Sequence, residues 1–357
     1  MLSTNNQRSI SLQRFCNGWA IAGLLTIVGL PLLSLSPRFV ETFYSRGLYR
    51  WLTSVLSVAS SWFSVSLSEL TLYSFIIWLL VVIAYGVSQR RFKFALVLLG
   101  KSLVVALIWF YAGWGLHYFR LPLDVQLNLP AMMTRPDRAH FIANLNWSIR
   151  AANDHWRTIP SKSLAEFDHE IEAGYTRLLQ KIDLPQPCGE RRPKFLLVPA
   201  LFDYTLTSGM FGPFFHEVHL SSSLLPFELP FVLAHEKAHQ LGYAREDEAN
   251  FLAALVCLTS PDSAVQYSGC FSLLVKFLNQ TMILGAIDST VARIRPEVLD
   301  DFAAVRERSA RYAGAISDLA YDSYDLYLKA NQIDEGIKNY VGVVDLMIRW
   351  RETHDWP

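Results

Sequence analysis

An excess of charge of one sign is what this chain lacks first. Thirty-two Lys and Arg balance 32 Asp and Glu, the formal net charge at pH 7 is zero, and no basic stripe interrupts the balance. That argues against nucleic acid as a partner. Cysteine is scarce too. Of the four, Cys16 borders the first apolar run and Cys188, Cys257 and Cys270 lie further along. An oxidising compartment would permit a bridge between Cys257 and Cys270 on successive predicted helices, but free buried thiols are the expectation. A removable signal peptide is also missing: the first apolar run lies too deep and lacks a small-residue cleavage site.

Charge is nearly absent from three long windows. Asn17 to Pro37 and Leu70 to Gln89 hold none, and Phe94 to Tyr118 holds only Lys101, in a chain that is 52% hydrophobic with a mean hydropathy of +0.22. Each window can cross a hydrocarbon layer of about 30 Å as a helix. The expectation is an α-helical membrane domain over residues 1–118, with spans at about 17–37, 70–89 and 94–118. Lys101 lies close enough to an interface to snorkel. Arg90, Arg91 and Lys93 crowd the connection between the second and third spans, which places that loop and the amino terminus in the cytoplasm. Residues 119–357 then form an extracytoplasmic domain. Between the first two spans, Ser54, Ser57, Ser61, Ser64 and Ser68 step by three and four, so residues 51–68 are expected to form an amphipathic helix lying in the membrane interface, with Trp51 and Trp62 at the headgroups. A membrane-buried helix packing its serines against neighbours is the alternative.

The outer domain is expected to be α+β, mostly helical with a small sheet. Helical patterns cover Arg138 to Thr158, Ser163 to Ile182, Ala264 to Leu284, Pro296 to Ser317 and Ala320 to Ala330, while Lys194 to Pro199 and Phe214 to Leu220 look like strands. The second strand is expected at the edge of the sheet, with His216 and Glu217 toward a cleft and His219 as a minor candidate metal ligand.

The chemistry concentrates in His235-Glu236-Lys237-Ala238-His239, which runs through Gly242 into Arg245-Glu246-Asp247-Glu248-Ala249-Asn250. Residues four apart lie on one face of a helix, so His235 and His239 can present two imidazole nitrogens to one zinc ion, with Glu236 beside them as general base. Catalytic zinc needs a third protein ligand and an open position for water, whose pKa the metal lowers. Gly242 can end the first helix in a left-handed turn and bring the next helix back toward the histidines. The expected third ligand is Glu246, with Glu248 as the alternative if that helix is one step out of phase. An oxyanion donor is sought among the tyrosines between Tyr321 and Tyr340, with Tyr340 the weak candidate.

The spacing Glu246-x-x-x-Asn250 behind the two histidines resembles the gluzincin metallopeptidases, which implies Glu246 as the ligand and Asn250, where they carry Asp, as the residue that orients a ligand histidine. Trp114 through Leu123, Phe211-Gly212-Pro213-Phe214-Phe215, the motif running into Phe251, and the closing Tyr-Asp, Leu-Lys-x-Asn and Tyr pattern together resemble a family of bacterial membrane proteins with three amino-terminal spans and a zincin-like outer domain. The resemblance implies a multi-pass protein of the bacterial inner (cell) membrane, in contact with membrane lipid, whose periplasmic or extracellular domain cuts a protein or peptide substrate with Zn2+. It names no substrate. A catalytically inactive zincin-like sensor or binding protein is the competing expectation.

Overall fold

Where no water competes for backbone hydrogen bonds, an apolar segment satisfies its own amides only as a helix, and two such helices dominate the first part of this chain. The computed structural model describes residues 18, 19, 23, 26, 29, 32–130, 138–156, 162–284, 291–331, 333 and 342–355, the side chains of 281–284 excepted. It divides into two units. The first comprises residues up to Leu52, Leu67–Leu121 and Pro213–Phe215; the second comprises Thr53–Ser66, Pro122–Gly212 and His216–Pro357.

Helix α1 (Tyr49–Ser61) is followed by α2 (Leu67–Ser88) and α3 (Phe92–Gly113). Among the described residues, α2 and α3 are the two helices long and apolar enough to cross a membrane, not three, and the first predicted span lies largely outside the described residues. At 22 residues each, they extend about 33 Å. Val82 and Ala95 are buried, but many of the other apolar side chains, Leu80, Leu96 and Leu103 among them, are exposed. Helix α3 ends at Gly113, five residues before the predicted end of that span. A 3-10 turn, Gly115–Phe119, follows it. His117 in that turn bonds Ser45 Oγ at 3.0 Å, and Arg120 grips Glu41 through two bonds of 2.9 and 3.0 Å. Ser45 and Glu41 lie on a π-helical segment, Val40–Leu48. The polar residues of the Trp114–Leu123 motif are therefore anchors within the first unit.

The helix predicted over 51–68 is shorter than expected. α1 ends at Ser61, and Thr53, Ser57, Ser60 and Ser66 are buried in the second unit. Lys194 Nζ donates to the carbonyls of Ser60 and Val65 at 2.8 and 3.0 Å, and Ser66 Oγ bonds His219 Nε2 at 2.8 Å. Of the predicted serine stripe only Ser57 is buried and Ser64 is exposed; the side packed against the sheet is Thr53, Ser57 and Ser60, and Trp51 and Trp62 are 63% and 79% accessible. Gly189 sits against this side with φ +78°, where a Cβ would overlap Ser57 Oγ and come 3.0 Å from the Thr53 carbonyl. Gly189→Ala should destabilise the protein by about 2 kcal/mol from left-handed strain plus the clash; an unchanged thermal midpoint would contradict this packing.

In the second unit, α4 (Arg138–His155) and α5 (Leu164–Lys181) precede a three-stranded sheet of β1 (Pro193–Phe195), β2 (Gly209–Gly212) and β3 (Glu217–Leu220). The strand order is β1-β3-β2, with β1 parallel and β2 antiparallel to β3. The sequence gives no alternation at Gly209–Gly212, and β2 was not among the predicted strands. It, and not β3, flanks the metal motif as an edge. β3 is central and all four of its residues are buried. Hence His216 and Glu217 do not face a cleft: His216 bonds Thr53 Oγ1 at 2.9 Å and Glu217 pairs with Lys194 at 2.6 Å. Behind the sheet lie α6 (Leu229–Gln240), α7 (Glu246–Leu258) and α8 (Ser263–Leu284), then α9 (Pro296–Ala310), α10 (Ala315–Ala330) and α11 (Gly342–Thr353). The single helix predicted over Pro296–Ser317 is broken before Gly314, whose amide bonds Ser317 Oγ at the start of α10. Cys257 and Cys270 are buried thiols and do not bridge each other.

Candidate metal centre

Helix α6 is buried on every side, which excludes a surface helix with accidental histidines. From Phe231 to Gln240 only Val232 escapes full burial. Each direction has its own partner. Lys237 reaches α5, bonding Asp168 at 2.6 Å, Glu172 and the Arg191 carbonyl. Gln240 donates to the His216 carbonyl at 2.7 Å. Glu236 faces β2, where Gly209 lies so close that a Cβ would come 2.8 Å from the carboxylate, and the Phe211 amide donates to it. Gly209 is the only residue type that leaves room for Glu236 there.

His235 and His239 face the start of α7. Gly242 adopts φ +88° and the Tyr243 amide bonds back to the Ala238 carbonyl at 3.2 Å, closing α6 in a Schellman-type turn. The same turn aims the Tyr243 carbonyl at His239 Nδ1, 2.7 Å away. A carbonyl only accepts, so Nδ1 carries a proton and Nε2 is the ring nitrogen turned toward the cluster. Helix α7 begins at Glu246, whose Oε2 lies 3.1 Å from His235 Nε2 and whose Oε1 lies 3.6 Å from His239 Nε2; the two Nε2 atoms are 3.0 Å apart. Donor atoms of His235, His239 and Glu246 all lie within 4.8 Å of one another. Ligands at about 2.0–2.1 Å from a tetrahedral zinc are separated by about 3.3 Å, so this triangle has the dimensions of one face of that tetrahedron. The chemistry fits as well, because two imidazoles and a carboxylate form an open-site zinc donor set.

Electrostatics agree with a site built for a cation. Burial alone would push the His239 imidazole down, yet Glu246 and then Glu236 carry it up to about 9. Glu246 is raised by burial but held well below the ordinary carboxylate range by His239 and His235. Burial pushes Glu236 up to about 8, with His239 opposing and Glu246 adding to the rise.

The other predicted residues separate. Glu248 turns away from the cluster, its Oε1 accepting from the Leu123 amide at 2.7 Å. Arg245 pairs with Asp247 at 3.0 Å. Asn250 does not orient an imidazole: one turn along the same helix as Glu246, it donates to the Glu246 carbonyl at 2.7 Å. The group that holds His239 Nδ1 is instead the Tyr243 carbonyl, a backbone group with no sequence signature. His219 is not in the cluster; it lies between Ser66 and the Met210 carbonyl. Tyr340 lies outside the described residues. Tyr324, within the tyrosine-rich stretch but not singled out, donates its hydroxyl to Glu246 Oε1. Half-buried Lys276 on α8 is a further unpredicted neighbour, which burial lowers to about 8 against the pull of Glu246.

A family model described as "Protein of unknown function (DUF3810)" matches residues 44–348. No curated protein and no solved structure matches the chain.

Proposed function

We propose that the chain, which belongs to the DUF3810 family, is a membrane-anchored zinc peptidase of gluzincin type whose catalytic unit faces outward from a bacterial inner membrane. The observation that carries this reading is the convergence of His235, His239 and Glu246 donor atoms beside a buried Glu236. The two apolar helices, and the basic Arg90, Arg91 and Lys93 at the connection between them, support the anchor and its orientation. Zincin-like architecture is part of the proposal.

His235, His239 and Glu246 would hold the ion, which supplies Lewis acidity toward a carbonyl and toward water. Glu236 takes the proton from the attacking water onto its carboxylate and returns it to the departing amine nitrogen. Its raised pKa keeps that proton exchangeable near neutrality, while a dication among the neighbouring imidazoles favours the ionised, basic form, as opposite charge does. Tyr243 holds His239 in one tautomer throughout. Strand β2, beside Glu236, lies at an edge of the sheet among the described residues, the kind of position where an extended peptide adds as a further strand.

Metal analysis of the full-length protein purified in detergent tests the reading. About one zinc per chain is expected, and none in His239→Ala. A wild-type protein that binds no metal would end it.

A further inference from the structure

Tyr324 meets the metal cluster from α10, 78 residues beyond the carboxylate it touches. Its ring stacks on Tyr327 with centroids 5.9 Å apart, and α10 packs on a short helix, Ala200–Thr205. Both oxygens of Glu246 are turned toward the imidazoles, one near each histidine. A carboxylate so placed can bind a cation through one oxygen or chelate it through two. Two imidazoles and a chelating carboxylate would fill four positions and close the site; through one oxygen, the same residues leave the fourth position open, as catalysis requires.

We propose that Tyr324 is a positioning residue that restrains Glu246 to single-oxygen metal binding and so keeps the open position. The inference rests on the zinc reading above. Its physical basis is competition for one lone-pair oxygen. The phenol O–H donates to Oε1 in a charge-assisted bond within a buried site, where such bonds are strong. Oε2, the atom nearer His235, remains for the ion. Without the hydroxyl, Oε1 keeps its charge and turns to the metal.

Cobalt in place of zinc makes the site visible, since absorption of the ion reports coordination number and needs no substrate. Full-length wild-type, Tyr324→Phe and Tyr327→Phe proteins would be loaded with Co2+ and titrated with azide, a small anion that seeks an open position. Tyr324→Phe should still take up cobalt, but with a changed visible spectrum and about tenfold weaker azide binding, at the low end of second-shell effects. Tyr327→Phe, which removes a hydroxyl from the stacked neighbour, should match wild type. The proposal is overturned if Tyr324→Phe keeps the wild-type spectrum and azide affinity, if it takes up no cobalt, or if Tyr327→Phe has the same effect, which would make packing the cause. A wild type that binds neither cobalt nor zinc removes the zinc reading and this inference together, whereas a loaded wild type with an unaltered Tyr324→Phe removes only this one.

Discussion

Glu236→Gln should lower peptide hydrolysis by roughly two to four orders of magnitude while leaving zinc bound, because the amide keeps the size and acceptor oxygen of the carboxylate but cannot take up the proton. That loss corresponds to about 3–5 kcal/mol of barrier. The surroundings make the substitution mild for the fold. Glu236 is buried beneath Gly209, accepts the Phe211 amide, and is driven by burial toward its neutral form, up to about 8. A glutamine oxygen can accept that amide without the cost of a desolvated charge. The thermal midpoint of the variant should therefore equal or exceed that of the wild type. Cleavage rates on a peptide library, with metal content measured on the same preparations, check both halves. Undiminished cleavage by Glu236→Gln would remove Glu236 from the chemistry.

Glu246→Ala is expected to lose metal and activity together. It deletes the one anionic donor of the cluster, and the zinc affinity should fall by more than the roughly 100-fold that loss of an outer partner brings. Stability should fall with it, since metal binding contributes to folding. Glu246 also does the most to raise His239, so without it burial prevails and the His239 imidazole moves down. Glu248→Ala separates the two acids. It strands the Leu123 amide, a buried donor now without its acceptor, at a cost of about 1–3 kcal/mol. Its zinc content should stay at the wild-type level. Zinc lost in Glu248→Ala and kept in Glu246→Ala would reverse the assignment.

Some of this site is visible in the chain alone because the rules involved are local. Two histidines four apart share a helix face whatever surrounds them, and a glycine three residues beyond can take the positive φ that stops a helix. The long uncharged windows likewise announce α2 and α3, since a helix is the only cheap way to place such sequence in lipid. Serines at helical spacing were equally legible as a stripe. Which medium the stripe faces was not, because a polar stripe suits water, headgroups or a neighbouring protein surface alike. Tertiary packing divides it: Ser57 is buried, with Thr53 and Ser60, in the second unit, while Ser64 is exposed.

The sequence by itself therefore determined the helix carrying His235, Glu236 and His239, the turn at Gly242, the helix after it, and two apolar helices ahead of them. Tertiary structure decided which acid joins the histidines, because Glu246 and Glu248 differ by about 200° around α7 and only the approach of α7 to α6 selects one. It decided that a backbone carbonyl, Tyr243, and not Asn250, fixes the His239 tautomer. It made the unpatterned Gly209–Gly212 an edge strand, since pairing with β3 and closeness to Glu236 reward a residue without a side chain. And it brought Tyr324 to Glu246 across 78 residues, a contact that depends on how helices pack and leaves no periodicity to read.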